Sequence, residues 1–163
     1  MKKIALIMDG WMRYFTFAWP SGILARIKEL NLDANLYIFN SNGNWSGDDE
    51  YNRGEYNIFN LPNLNDFDGI ILDINNIKLD GIRENIIEKV KATNLPTIAI
   101  GNEFENFYYV GINNYEAMTH MLEHVYSHHN SHSYWFIIGP DDNYENSQRY
   151  LSICDFIKKY DIK

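Results

Sequence analysis

Short apolar runs alternate with longer mixed segments along the whole chain. Residues 4–8 (IALIM) read as a buried strand that ends at Asp9-Gly10. Pro20 suits a helix start, and Ile23, Ile27 and Leu30 follow at helical spacing. Residues 36–39 (LYIF) form a second strand pattern. The stretch 41–56 is polar and glycine-containing, so it reads as a long loop or a short irregular element. Residues 69–72 (GIIL) give a third strand. A helix over 80–92 carries Ile82, Ile86, Ile87 and Val90 on one face, and residues 97–100 form a fourth strand entered through Pro96. Residues 108–112 are a fifth extended run. A helix over 115–126 has Met118, Met121, Leu122 and Val125 as its apolar stripe. Residues 134–138 (YWFII) read as a sixth strand ending at Gly139-Pro140, and a helix over 146–160 closes the chain.

Strands alternating with helices, with strands that are apolar throughout, predict an α/β protein: a Rossmann-like parallel sheet with helices on both faces. Ligands of such sheets bind beyond the carboxyl ends of the strands. The segments to watch are therefore 9–14, 40–44, 73–76, 101–105 and 140–145.

Composition narrows the function. The 163 residues carry 14 basic and 22 acidic side chains, a net charge of −8, which argues against a chain that contacts nucleic acid by neutralising phosphates. Hydrophobic residues make up 45 %, enough for a core. A single cysteine, Cys154, excludes a disulfide framework and a cysteine-cluster zinc site. No apolar run approaches a membrane span, and the run at 4–8 is too short for a signal-peptide core. The expectation is a cytoplasmic protein without a membrane partner.

Motifs remove several chemistries. Neither a GxGxxG nor a GxxxxGK[ST] phosphate loop occurs, and there is no GxSxG elbow. His120-Met121-Leu122-Glu123-His124 formally matches the inverted zinc-protease motif, which makes a metal-dependent hydrolase built on His120, Glu123 and His124 a second alternative. Set against it is a polar helix face running into a histidine-rich turn. Asp9 and Asp73 both follow apolar strands, as the acids of a phosphoryl-accepting receiver would, but Gly10 and Gly139-Pro140 stand where such a site wants a further acid and a lysine. The aromatic segment 11–19 follows a strand. Trp11, Tyr14 and Phe15 are candidates to line a cleft, since flat, stiff rings grip a planar or sugar ligand at little entropic cost. Arg149, in the first turns of the last helix, offers a fixed fork of donors suited to carboxylates or vicinal hydroxyls. On spacing alone it is a surface arginine.

The order IALIMDG, DFDGIIL, NLPTIAIGNE, VGINNYEAMTHMLEHV and YWFIIGP, followed by Arg149, resembles the ligand-binding domain of the lactose-repressor family. The resemblance extends from Ile4 to Ile162. It implies the type I periplasmic-binding-protein fold, two Rossmann-like lobes with a ligand cleft between them. Residues 1–109 would form the first lobe and residues 110–163 the beginning of the second. The family domain is considerably longer, so this chain is expected to be a fragment of a longer protein, completed by dimerisation or exchanged elements. His124 then becomes the histidine that ends the family's helix. The match places Arg149 at the family's ligand-contacting arginine. It puts Tyr14 and Phe15 near the effector contacts after the first strand. Asn113 stands where the family carries the aspartate of its D-N pair, and Asn143 and Glu145 could point inward from the segment before Arg149. With Asp9 and Trp11 these residues make up the expected ligand site.

Met1 stands close to the first strand, with no helix-turn-helix before it. The stretches RYFTFAWPSGI, GEYNIFNLP and GPDDNYEN resemble sensor domains that precede diguanylate cyclases. The reading is a small-molecule-sensing regulatory domain of a bacterial signalling protein, controlling an output domain such as a diguanylate cyclase. The alternative is the effector-binding domain of a lactose-repressor-family transcriptional regulator. In either case the chain is not itself an enzyme and needs no cofactor or metal. Its ligand is a small polar metabolite such as a sugar or nucleobase, and it forms a homodimer.

Overall fold

The computed structural model describes residues 1–10, 13–43, 46–129, 131, 133–141 and 143–162, without the side chains of 13–16. The chain divides into two compact units, Met1–Val110 and Gly111–Lys163.

Unit 1 is a five-stranded parallel sheet. Its elements are β1 (Lys2–Asp9), α1 (Arg13–Glu29), β2 (Ala34–Ser41), α2 (Asp49–Glu55), β3 (Gly69–Asp73), α3 (Ile82–Thr93), β4 (Thr97–Ile100) and β5 (Tyr108–Val110). Two 3-10 turns, Tyr56–Asn60 and Leu64–Asp66, lie between α2 and β3. The strand order is β2-β1-β3-β4-β5. From β1 the chain moves outward to β2 and then returns to the other side with β3, so the order reverses between β1 and β3. In open α/β sheets ligands bind beyond the carboxyl ends of the strands at such a reversal.

The register decides which side chains reach that end. Ala5 pairs with Tyr37 and Ile70, Ile7 with Phe39 and Leu72, and Asp9 with Ser41. These residues share one face. There Ala5, Ile7, Ile70, Leu72 and Ile74 pack with Ile86 and Val90 of α3 and with Tyr56 and Phe59 of the first 3-10 turn. On the other face Leu6 and Met8 are equally buried. Burial on both faces is why β1 is apolar without alternation. β5, at the sheet edge, is exposed throughout.

Unit 2 holds α4 (Asn114–His129) and α5 (Tyr144–Tyr160). Leu122 of α4 packs against Ile153 and Phe156 of α5. Phe156 is the hub of an aromatic cluster, with Tyr160 at 5.0 Å, Tyr134 at 5.4 Å and Tyr126 at 6.0 Å between ring centroids.

Three sequence expectations need correction. Residues 134–138 are not a strand of a sheet: they form no regular element and pair with no strand among the described residues. Their period-two pattern still operates, because Tyr134 and Phe136 turn into the aromatic cluster while Trp135 is 98 % exposed. The first helix does not start at Pro20. It begins at Arg13 and keeps Pro20, buried, inside it. The penalty for an internal proline, about 3 kcal/mol, is here overridden by packing. Finally, the expected loop or irregular element 41–56 contains α2. Asp48 caps it by accepting from the backbone N–H groups of Glu50 and Tyr51.

Candidate functional site

The carboxyl end of the unit 1 sheet gathers polar groups around Asp9. Ser41 Oγ donates to Asp9 Oδ1 at 2.6 Å. Asp9 is 2 % exposed, yet its Oδ2 has no hydrogen-bond partner. Burial raises the Asp9 carboxyl pKa to about 6; the Ser41 hydrogen bond works against that rise, and the nearby Asp73 charge adds to it. Asp73 pairs with Met8 in the ladder, which sets it on the opposite face of the sheet from Asp9.

Tyr56 stands at the same end. It is 3 % exposed and its hydroxyl also has no partner. Burial first, and the Asp9 charge second, hold its phenol above the ordinary range. The ring fits because Gly43, in the turn after β2, has no Cβ: one built there would meet Tyr56 Cζ at 2.1 Å. Amides complete the rim. Gly10 N–H donates to Asn40 Oδ1 at 3.1 Å and to the Ser41 carbonyl at 3.2 Å. Asn76 Nδ2 donates to the Asp9 carbonyl at 3.3 Å. Asn75 Nδ2 donates to the Ile100 carbonyl at 3.0 Å and leaves its own buried Oδ1 unpartnered. Asn75 sits against Gly101, whose φ of +76° and missing Cβ both demand glycine. Three buried, unpartnered oxygens at the reversal point of a parallel sheet are unusual, since buried polar atoms are nearly always paired.

Of the expected site residues in this unit, only Asp9 has a described side chain. Trp11 lies outside the described residues. Tyr14 and Phe15 lie in the first turn of α1, and their side chains are likewise outside the description.

Unit 2 brings Asn113, Asn143, Glu145 and Arg149 into local arrangements of its own. Arg149 Nε donates to Asn114 Oδ1 at 2.8 Å, and its Nη2 to Glu145 Oε2 at 3.2 Å, one turn away on α5. Asn143 caps α5, its side chain accepting from the Asn146 N–H at 2.8 Å. Asn113 does the same for α4: its Oδ1 accepts from the Glu116 N–H at 3.1 Å, and its Nδ2 donates to Glu116 Oε2 at 2.8 Å. The acceptors of both asparagines are thus engaged at helix starts. Arg149 and Glu145 line a cavity of about 270 Å³ beside Gly139 and Pro140. Asn146 fixes that corner by accepting from Gly139 N–H at 2.8 Å and donating to the Gly139 and Pro140 carbonyls at 3.1 Å.

The histidine-rich helix does not assemble a metal centre. Glu123 is ion-paired with Lys159 at 2.6 Å, which holds its carboxyl below the usual range. His124 stacks face to face on His128, with ring centroids 4.5 Å apart. Among the described residues no group of three or more His, Cys, Asp or Glu side chains could hold a metal ion. No helix of the described residues is long and apolar enough to cross a membrane.

Sequence reasoning did not single out Ser41, Tyr56 or Asn114. Ser41 becomes a partner of Asp9 only through the β1–β2 register, and Tyr56 lay in a stretch read as a loop or short irregular element. The strand-end segments 40–44 and 73–76, however, did contain Ser41, Gly43, Asn75 and Asn76.

Comparison with known proteins shows the fold. No family model matches the chain. No curated protein matches it either. A periplasmic binding protein/LacI transcriptional regulator from Alkaliphilus metalliredigens QYMF, solved with D-xylulofuranose, matches 100 % of this chain and 55 % of its own, with 19 % identity and a TM-score of 0.65. The transcription regulator CcpA of Lactococcus lactis matches over 100 % of this chain and 55 % of its own, with 16 % identity and a TM-score of 0.67. A periplasmic sugar-binding protein of an ABC transporter from Legionella pneumophila matches over 99 % and 58 %, with 16 % identity and a TM-score of 0.66. This chain spans about half the length of these structures. The parallel five-stranded sheet with its helices is an α/β fold of the type I periplasmic-binding-protein kind.

Proposed function

We propose that the chain is the ligand-sensing part of a regulatory protein and binds a small polyhydroxylated molecule, a sugar or a close relative. The observation that carries the reading is the set of buried, unpartnered oxygens on Asp9, Tyr56 and Asn75 at the carboxyl end of the unit 1 sheet. A ligand rich in hydroxyls supplies donors and acceptors together, which such a rim requires. The fold supports the same reading, since the similar structures include a complex with D-xylulofuranose and a sugar-binding protein. Sensing works by population shift: the ligand favours whichever conformation gives it more contacts, and that difference in affinity is the signal. No bond is made or broken.

The similar structures include transcription regulators, which supports a gene-regulatory output over a nucleotide cyclase. A cytoplasmic location and a homodimer belong to the same proposal. Phe17, Trp19 and Leu24 leave apolar surface exposed on α1, which supports self-association. Arg149 is proposed as a ligand contact because the resemblance assigns that role to its position.

The test is a thermal-shift screen of pentoses, hexoses and nucleobases against the full-length protein. A ligand bound only to the native state raises the melting temperature by mass action. A sugar-dependent rise that falls in Asp9→Ala supports the reading, and one that falls in Arg149→Ala supports the role proposed for that arginine. A rise untouched by both substitutions takes these residues out of the site.

A further inference from the structure

In the described residues 9–10, 40–43, 73–76 and 101–105 the charged side chains are Asp9, Asp73, Glu103 and Glu105, with no lysine or arginine among them. Asp9 is 98 % buried by its exposure of 2 %, and its Oδ2 accepts nothing. Tyr56, equally buried and equally unpartnered, lies close enough for the Asp9 charge to act on its hydroxyl. A buried carboxylate with an empty oxygen is stable only if it takes up a proton or meets a positive charge.

Resting on the reading that this is the ligand site, we infer that its ligand carries a protonated amine beside a hydroxyl: an amino sugar or an aminated polyol. The ammonium supplies the charge and the donor that Asp9 Oδ2 lacks. The adjacent hydroxyl accepts from the Tyr56 O–H. A neutral sugar can donate to Asp9 but leaves its charge uncompensated in a buried position. A phosphate ester sets a like charge against the buried Asp9 carboxylate and is rejected. The burial of Asp9 sets the size of the effect, because charge-assisted hydrogen bonds strengthen where water is excluded.

The experiment measures binding to the full-length protein with matched pairs differing at one substituent: D-glucosamine and D-glucose, D-galactosamine and D-galactose, D-mannosamine and D-mannose. D-glucose 6-phosphate and magnesium chloride are run beside them. The expected result is that an amine binds on the order of tenfold or more tightly than its hydroxyl partner, the worth of one charge-assisted bond. Asp9→Asn removes that preference, and Tyr56→Phe weakens amine and neutral sugar alike. Asp73→Asn, a second variant, narrows the preference without abolishing it. Neutral sugars binding as tightly as their amines, or an amine preference that survives Asp9→Asn, overturn the inference and leave the sugar-sensing reading in place. Preferred binding of the phosphate ester also overturns it and directs attention to Arg13. Stabilisation by magnesium alone, lost in Asp9→Asn, replaces the amine with an inorganic cation and overturns it as well. Absence of binding by every sugar in the set overturns both readings together.

Discussion

The two units treat their charged residues in opposite ways. Unit 1 buries Asp9 at the end of a central strand and leaves one of its oxygens empty. Unit 2 keeps Arg149 part-exposed and pairs it with Asn114 and Glu145. A sheet ladder can afford the first arrangement. Eight paired positions with β2 and five with β3 hold β1 in register, so a strained polar group at its end cannot relax away. Two helices and an irregular segment give no such restraint, and the arginine there finds partners within its own neighbourhood. Unsatisfied polarity therefore marks the proposed site in unit 1, whereas in unit 2 only the resemblance singles out Arg149.

The largest expected effect tests the rigidity of that ladder. Leu72→Ala, in the middle of β3 and 1 % exposed, is expected to cost about 2–5 kcal/mol, the range for emptying a packed core position. Denaturant unfolding followed by hydrogen exchange should show protection lost across β1, β3 and β4 while α4 and α5 are spared. Equal loss in both units would mean that they unfold as one.

Next in size is Asp9. Its folded pKa, about 6, lies above the ordinary 3.8, so the folded state binds the proton more tightly than the unfolded chain does. The contribution of Asp9 to stability is then greatest below pH 3.8 and falls as pH rises through the window to 6, with about 3 kcal/mol of it lost above. Asp9→Asn keeps an acceptor for Ser41 and has no such titration. It is expected to be the more stable protein at pH 7.5, with the advantage gone near pH 4. Urea midpoints at the two pH values check this; a variant less stable than the parent at pH 7.5 would show that Asp9 is paired in solution.

A smaller effect belongs to the caps. Asn143→Ala removes the acceptor for the Asn146 N–H at the start of α5 and is expected to cost about 1 kcal/mol, as helix N-cap losses do. Ligand affinity should stay unchanged if Asn143 is a cap alone. A loss of affinity larger than the loss of stability would give it a contact with ligand.

What could be read in advance follows the range of the interactions. β1, β3, β4 and helices α3 to α5 announce themselves through local periodicity, and β4 falls where Pro96 and the apolar run place it. The strand ends also pointed to Asp9 and to the asparagines around it. Tyr56 was not legible, because its role depends on Gly43, thirteen residues earlier, leaving room for its ring. Ser41 was not legible as a partner either, since only the β1–β2 register sets it against Asp9. Pro20 misled for the opposite reason: its local meaning is clear, but packing decides the helix. Asn113 and Asn143 belong to the expected ligand site by resemblance and cap helices α4 and α5 in the structure. The same residue type serves helix starts equally well, and spacing cannot separate the two roles.

Residues 134–138 combine one modest effect with one expected to be nil. Tyr134 and Phe136 turn into the aromatic cluster around Phe156, and Trp135 turns out of it at 98 % exposure. No strand among the described residues pairs with the segment, which is held by the cluster and by the Tyr134 O–H donating to the Ser131 carbonyl at 2.6 Å. Phe136→Ala should then destabilise unit 2 by about 1–2 kcal/mol, below the range for a fully buried phenylalanine because Phe136 is only partly covered. Trp135→Ala should leave the isolated fold's melting temperature unchanged, since truncating a side chain in water removes no contact. Tryptophan fluorescence of Trp135 should show a water-exposed emission maximum in a background lacking the other three tryptophans. A blue-shifted maximum, or a loss of stability in Trp135→Ala, would mean that this residue is covered in solution. The alternation would then describe a strand paired on both faces, as in β1, and not one anchored on a single side.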